Sequence, residues 1–300
     1  MHEHATAGAA HRGRLVAALV ITASVMVIEA IGGLLSGSLA LLADAGHMLS
    51  DTAALALALA ATWIAARPAR GRLTFGWQRI EVLAALLNGV ILAVVGVVVI
   101  IEGISRLGQP RQIDVPILLL VGSIGLLANL ISLRLLHSGQ RESINVRGAY
   151  LEVLGDLVGS VAVLIAGLII LTTGWEQADA VASIGIGVFI LPRAAILLRD
   201  VARVLLEAAP EDVCLDDLRK HMEEVPGVLS VHDLHAWTIT SGVPVASAHV
   251  VVADEVLHPD QFCVVLDALQ DCLEGHFDIE HSTIQLEPAA HVHSERRLHH

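Results

Sequence analysis

The stretch SLALLADAGHMLSDTAALALALAATWIAA (residues 38–66) has the composition of a membrane-spanning helix but contains three ionisable side chains, Asp44, His47 and Asp51. A charged group in hydrocarbon costs about 3 kcal/mol or more, so spans that retain such groups usually use them. His47 and Asp51 are four residues apart and therefore project from one face of a helix. Asp44 lies one turn earlier on a neighbouring face and is a weaker candidate, either as a residue that supports the other two or as an acid on the path by which metal enters.

A second apolar segment repeats this spacing. In AYLEVLGDLVGS (149–160), Glu152 and Asp156 are also four residues apart. Two helices that each present two donors supply four ligands, the number that a tetrahedral metal site needs. Isolated polar residues satisfied by hydrogen bonds between helices are the alternative. Two such pairs in separate spans favour the metal site.

The composition indicates an integral membrane protein. Its 300 residues are 55% hydrophobic and 16% charged, with a mean hydropathy of +0.69. Soluble domains carry roughly a quarter charged residues. Windows long enough to cross about 30 Å of hydrocarbon predict six spans, at 15–35, 39–66, 80–107, 114–136, 148–172 and 178–199.

Arginine placement predicts the orientation of these spans. Two arginines, Arg106 and Arg111, lie in the connections assigned to one side of the membrane. The positive-inside rule puts the arginine-rich side, and with it both termini, in the cytoplasm. The arginines on that side are Arg12, Arg14, Arg67, Arg70, Arg72, Arg79, Arg134, Arg141, Arg147, Arg199 and Arg203.

The chain changes character after the sixth span. Residues 1–206 hold 13 Asp or Glu and 14 Arg, whereas residues 207–300 hold 18 Asp or Glu, four Lys or Arg and 11 of the 16 histidines. Such an acidic region argues against nucleic acid as a partner, because phosphate binding needs a basic face. It suits a region that meets metal cations. The three cysteines form no CxxC pair, which fits a reducing compartment.

Residues 207–288 are predicted to form a small cytoplasmic α+β domain. Its pattern gives a helix, a hairpin turning at Ser241-Gly242, a second helix and a last strand, an αββαβ order of the ferredoxin-like kind. These elements are expected at 211–224, 228–239, 243–253, 259–275 and 281–287. Residues 15–206 form the six-span helical bundle. Residues 1–14 and 289–300 are histidine-bearing tails that are expected to be disordered and to bind metal weakly if at all.

Three residues of this domain form a candidate second metal site. His232 and His249 fall on adjacent antiparallel strands, and Glu287 ends the third strand. Two histidines and one carboxylate on a single sheet can hold a metal ion. Their spacing follows no strict rule, so a metal site and three unrelated polar positions both remain open.

Six ordered segments of the chain resemble the cation diffusion facilitators, and among them the zinc transporters of bacteria and of vesicles. The resemblance covers nearly the whole chain. The segments are SLALLADAGHMLSD (38–51), FGWQRIEVLAALLNG (75–89), NVRGAYLEVLGDLVGS (145–160), LLEAAP (205–210), VHDLHAWTITSG (231–242) and HSTIQLE (281–287).

This resemblance implies a transporter, not an enzyme. It implies a homodimer of six-span protomers in the bilayer, here a bacterial inner (plasma) membrane, that exchanges a divalent metal for protons by alternating access. The transport site, carried over by position, falls on His47, Asp51, residue 152 and Asp156. The resemblance also supports metal binding by His232, His249 and Glu287.

One position departs from that branch, which usually has a histidine where this chain has Glu152. One histidine and three carboxylates make a harder, more anionic site, which shifts preference towards Mn²⁺ although zinc also accepts carboxylates. We therefore expect export of Zn²⁺, with Cd²⁺, Co²⁺ or Mn²⁺ as further substrates and a manganese-preferring exporter as the alternative.

Two other functional classes compete with this hypothesis. An intramembrane metalloprotease would also place histidine and acids in a membrane, but the sequence has no HExxH motif. A passive metal channel with a regulatory metal-sensor domain would conduct without coupling to protons.

Overall fold

The computed structural model describes residues 7–65, 67–109, 111–137, 144–240 and 242–291. The chain divides into two compact units. The first comprises Met1–Leu59 and Ala84–Leu198, and the second comprises Ala60–Leu83 and Arg199–His300. The second unit thus includes the connection between the second and third helices, which the sequence did not predict.

Six long helices coincide with the six predicted spans. They are α1 (Ala7–Ser36), α2 (Leu39–Ala65), α3 (Ile80–Gly108), α4 (Val115–His137), α5 (Ile144–Thr173) and α6 (Gln177–Leu205). Among the described residues, α1 and α3–α6 provide five segments long and apolar enough to cross a membrane. α2 is a continuous helix of 27 residues.

Helix α1 begins earlier than expected. Residues 7–14, predicted to belong to a disordered tail, are helical. The run AGAA at its start explains the extension, since alanine has the highest helix propensity. The rest of that tail, residues 1–6, and most of the other, residues 292–300, lie outside the described residues.

Small residues let the helices of the first unit approach closely. A Cβ added at Gly32 of α1 would lie 2.6 Å from a Val121 methyl group of α4. On α3 and α6, a Cβ at Gly187 would lie 3.1 Å from the carbonyl oxygen of Gly96. Glycine at such contacts allows backbones to pack without intervening side chains, the usual arrangement between membrane helices.

The start of α2 is held by a carboxylate from α6. Asp179 is buried and accepts hydrogen bonds from Ser38 Oγ (2.5 Å), Leu39 N (2.7 Å) and Ala40 N (3.3 Å). The first N–H groups of a helix have no partner within the helix, and a carboxylate there also complements the helix dipole. This cap fixes the position of α2 against α6. His47 lies on α2 and Arg193 lies on α6, so the same packing brings these two residues together.

The domain that follows α6 has the predicted αββαβ order. Its elements are α7 (Leu215–Glu223), β1 (Val228–Thr238), β2 (Pro244–Val252), α8 (Pro259–Phe277) and β3 (His281–Pro288), with a short 3₁₀ helix at Asp254–Leu257. The sheet order is β1-β2-β3. β1 and β2 are antiparallel, whereas β2 and β3 are parallel and joined through α8.

Helix α7 begins four residues later than predicted. Residues 210–213 instead form a turn in which Val213 N donates to the Pro210 carbonyl oxygen at 3.1 Å. The apolar sides of both helices and the sheet share one core. Its fully buried members include Leu218, Met222, Val250, Val252 and Leu269.

Residues around the start of α3 bond to other parts of the second unit. The sequence suggests that Glu81 pairs with an arginine such as its neighbour Arg79, but this expectation is wrong. Glu81 Oε2 accepts a hydrogen bond from Thr240 Oγ1 at 2.8 Å. Arg79 Nη2 donates to Glu207 Oε1 at 2.9 Å. Partners more than a hundred residues away displace the local pair.

Candidate metal centres

Three of the four predicted transport-site residues lie together. His47 and Asp51 of α2 and Asp156 of α5 each offer one ligand atom, and these atoms lie within 4.8 Å of one another. His47 Nε2 is 3.7 Å from Asp51 Oδ2, so this nitrogen faces the carboxylate. His47 and Asp156 are each 3% exposed. The predicted pairing of α2 with α5 therefore brings a histidine and two carboxylates to one buried point.

Glu152, the fourth predicted ligand, lies beside this cluster rather than within it. It is one turn before Asp156 on α5, and its side chain is 54% exposed. Its Oε1 is 3.7 Å from Nη2 of Arg193. Glu152 thus has a cationic partner.

Sequence reasoning missed Arg193. Its Nη1 is 3.1 Å from His47 Nε2 and 3.9 Å from Asp51 Oδ2. The signal was an arginine inside the apolar run IGIGVFILPRAAILL (184–198), directly after Pro192. Charged residues inside spans are rare and usually functional, so this position could have been singled out.

A set of hydrogen-bonded polar side chains lies next to the cluster, inside the helix bundle. Asp44, the predicted supporting residue, is buried and accepts a hydrogen bond from Ser160 Oγ at 3.4 Å. Ser160 Oγ in turn accepts one from Asn129 Nδ2 of α4 at 3.1 Å. A side chain at Gly159 would collide with the Asp44 carboxylate, so this glycine makes room for an acid as well as for a helix. Asp44 is therefore held by α5 beside the three clustered residues.

Strand pairing forms a second centre in the domain that follows α6. His232 of β1 lies directly opposite His249 of β2. His232 Nε2 is 2.5 Å from Glu287 Oε1, and His249 Nδ1 is 3.9 Å from Glu287 Oε2. One ligand atom from each of the three lies within 4.8 Å of the others. The register shifts between His232 and His235, where Asp233 has φ 44°, and such a bulge redirects the side chains around it.

The environment of Glu287 keeps this carboxylate ionised. Burial by itself would raise its pKa, but hydrogen bonds with His232 and Gln285 and the nearby charge of both histidines lower the pKa below the ordinary value. An ionised carboxylate beside two imidazoles is a suitable donor set for zinc. The three predicted residues are thus arranged as a compact candidate metal centre.

Two protein-family models match the two parts of the chain. The family model of the cation efflux transmembrane domain matches residues 15–206, and that of the cation efflux protein cytoplasmic domain matches residues 210–289. The chain belongs to the cation efflux family, the cation diffusion facilitators. This confirms the resemblance found in the sequence, and the members of this family are membrane transporters.

Curated relatives match along most of their length. The chain is 46% identical over 288 residues to the metal cation efflux system protein CzcD of Cupriavidus metallidurans, covering 96% of this chain and 90% of that protein. It is 45% identical over 276 residues to the zinc transporter ZitB of Escherichia coli (91% and 87%). It is 39% identical over 299 residues to the cadmium, cobalt and zinc/H⁺-K⁺ antiporter of Bacillus subtilis (99% and 95%).

A solved structure also matches part of the chain. The metal-bound C-terminal domain of the CzcD transporter from Cupriavidus metallidurans is 41% identical to it and covers 25% of this chain and 99% of that one, with a TM-score of 0.23.

Proposed function

We propose that this cation efflux protein exports Zn²⁺ from the cytoplasm in exchange for protons, by alternating access to a site formed by His47, Asp51, Glu152 and Asp156. The observation that carries the proposal is the meeting of His47, Asp51 and Asp156 from two helices at one buried point. Glu152 lies one turn from Asp156 on α5 and completes the proposed ligand set. Asp44 supports the site from behind.

Zinc is the first substrate for two reasons. One imidazole with carboxylates is a donor set that zinc accepts. The names of the three relatives above specify metal cations in general, zinc, or cadmium, cobalt and zinc. Cd²⁺ and Co²⁺ are the next candidates. A manganese-preferring exporter is the alternative, because the third carboxylate, Glu152, makes the site harder than a two-histidine site.

Export requires a membrane domain with a defined orientation and a domain on the cytoplasmic side. α2 acts as the sixth span, residues 15–206 form the membrane domain, and both termini lie on the cytoplasmic side of a bacterial inner membrane. Residues 207–288 form a ferredoxin-like cytoplasmic domain through which two chains form a homodimer. In that domain, His232, His249 and Glu287 bind Zn²⁺ and report its cytoplasmic level.

Protons are the counter-ion because metal and protons compete for the same lone pairs. Binding of a divalent cation to His47 and the carboxylates requires these groups to be deprotonated, and protons from the opposite side release the metal. The two alternatives from other classes, a metalloprotease and a passive channel, lack this obligatory link.

Zinc flux across a pH gradient tests the proposal. We expect purified protein in liposomes with an acidic interior to accumulate Zn²⁺ above the external concentration, as measured with a zinc-sensitive dye in the lumen. The same flux should dissipate the gradient, as measured with a pH dye. Zinc movement that is the same with and without the gradient, and that stops at equal concentrations, would support the passive channel instead. Parallel assays with Mn²⁺, Cd²⁺ and Co²⁺ rank the substrates, and protein-free liposomes measure the leak.

A further inference from the structure

Arg193 is in contact with three of the four proposed metal ligands. Nη1 lies 3.1 Å from His47 Nε2 and 3.9 Å from Asp51 Oδ2, and Nη2 lies 3.7 Å from Glu152 Oε1. The residue sits on α6, whereas the ligands are on α2 and α5. A guanidinium that presents its N–H groups as a planar fork can contact several acceptors at once.

The contact with His47 uses the nitrogen that a metal would need. Arginine only donates hydrogen bonds, so Nε2 of a neutral His47 accepts, and its ring proton is on Nδ1. Nε2 is also the nitrogen that faces Asp51. Because an imidazole nitrogen has a single lone pair, it cannot accept from Arg193 and coordinate a metal ion at the same time. The arginine contact and metal binding at Nε2 therefore exclude each other.

The charges of the four proposed ligands and the metal balance only when Arg193 is counted. Asp51, Glu152 and Asp156 carry three negative charges when ionised, and a divalent cation neutralises two. The positive charge of Arg193 neutralises the third. With a histidine at position 152 the two remaining carboxylates and the metal would already be neutral. Net charge in a low-dielectric site is costly, so Glu152 and Arg193 compensate each other.

We propose that Arg193 is a tethered cation that balances Glu152 and competes with the transported metal for His47 Nε2, and thereby lowers the affinity of the site and speeds metal release. The inference rests on the transport site proposed above. Arg193 acts as a positioning and competing residue: it pairs with Glu152 throughout, and its Nη1 contact with His47 breaks when the metal binds and reforms when the metal leaves.

The test measures zinc affinity and transport in the full chain carrying His232→Ala and His249→Ala, which removes the cytoplasmic centre. Equilibrium dialysis with radioactive Zn²⁺ gives Kd, and liposome flux gives KM and the maximal rate. For Arg193→Gln we expect Kd and KM to fall by about tenfold while the maximal rate also falls, since removing a nearby charge changes close electrostatic couplings by at least this factor. Arg193→Lys, which keeps the charge, should lie near the parent. Arg199→Gln, six residues further along the chain, is the matched control and should leave Kd unchanged.

A second substitution links the arginine to Glu152. Glu152→His alone leaves Arg193 without its carboxylate, and we expect zinc binding to weaken by about tenfold or more from the uncompensated charge. Adding Arg193→Gln should restore the affinity towards that of the parent. If Arg193→Gln fails to fold, the Glu152→His variant alone still decides: unchanged or tighter binding overturns the inference.

The outcomes separate the two proposals. If the parent without the cytoplasmic centre binds no zinc, the proposed transport site is wrong. If the parent binds zinc but Arg193→Gln leaves Kd unchanged or raises it, the site stands and the role of Arg193 is wrong. A double variant that binds zinc as weakly as Glu152→His alone would also contradict the compensation.

Discussion

Replacing Asp156 with Asn is expected to lower zinc transport into acidic liposomes at least about 100-fold, because loss of residues that only orient a metal ligand already costs up to about that factor. Asp156 is 3% exposed and belongs to the cluster with His47 and Asp51. Asparagine keeps the size of the side chain but removes the charge that neutralises the cation. The measurement is the initial rate of zinc accumulation at matched protein density.

The matched control is Asp114→Asn. Asp114 accepts a hydrogen bond from Ile117 N at 3.1 Å at the start of α4, and asparagine is an equally good helix cap. This variant also removes one negative charge from the membrane unit but should transport zinc at the parental rate. If Asp156→Asn transports as fast as Asp114→Asn, the assignment of Asp156 to the transport site is wrong.

The second large effect concerns the number of zinc ions bound per chain. We expect the full chain to bind two Zn²⁺ ions at low free zinc. His232→Ala with His249→Ala should remove one ion, and Asp51→Ala with Asp156→Ala should remove the other. The two centres lie in different units, so each pair of substitutions should leave the other ion in place. Elemental analysis after dialysis against buffered zinc gives the count.

His235→Ala provides the control for the cytoplasmic pair. This histidine lies on the same strand as His232 but is exposed and outside the cluster, so its loss should not change the count. A chain that keeps two ions after loss of His232 and His249 would place the second zinc elsewhere, for example in the histidine-bearing tails.

Bound zinc should also raise the free energy of unfolding of the cytoplasmic domain, by about 2.7 kcal/mol at a free zinc concentration 100-fold above Kd.

Much of the fold could be predicted because its signals are local. Six apolar runs of sufficient length predict helices, and their ends coincide with arginines, glycines and prolines in the connections. The alternation around His232 and His249 predicts a hairpin, and β1 pairs with β2 so that these two residues lie opposite. The spacing of four residues in the pairs His47/Asp51 and Glu152/Asp156 also predicts which side chains share a helix face.

The remaining features depend on contacts that spacing does not encode. Arg193 meets His47 across 146 positions, and Asp179 caps α2 from about 140 positions away. Both require the packing of α2 against α6, which one sequence does not specify. Glu81 likewise pairs with Thr240 rather than Arg79 because a folded domain offers a hydroxyl there. The pairing of Glu152 with Arg193 of α6, instead of a place in the cluster with Asp156, likewise depends on contacts between helices that are distant in sequence.

Zinc K-edge X-ray absorption of the chain carrying His232→Ala and His249→Ala tests the central assignment most directly. With the cytoplasmic centre removed, the one remaining zinc ion should show a single imidazole nitrogen and oxygen ligands at about 2.0–2.2 Å, as expected for His47 with carboxylates. Two or more imidazoles, or sulfur at about 2.3 Å from a cysteine, would contradict a site made of His47, Asp51, Glu152 and Asp156.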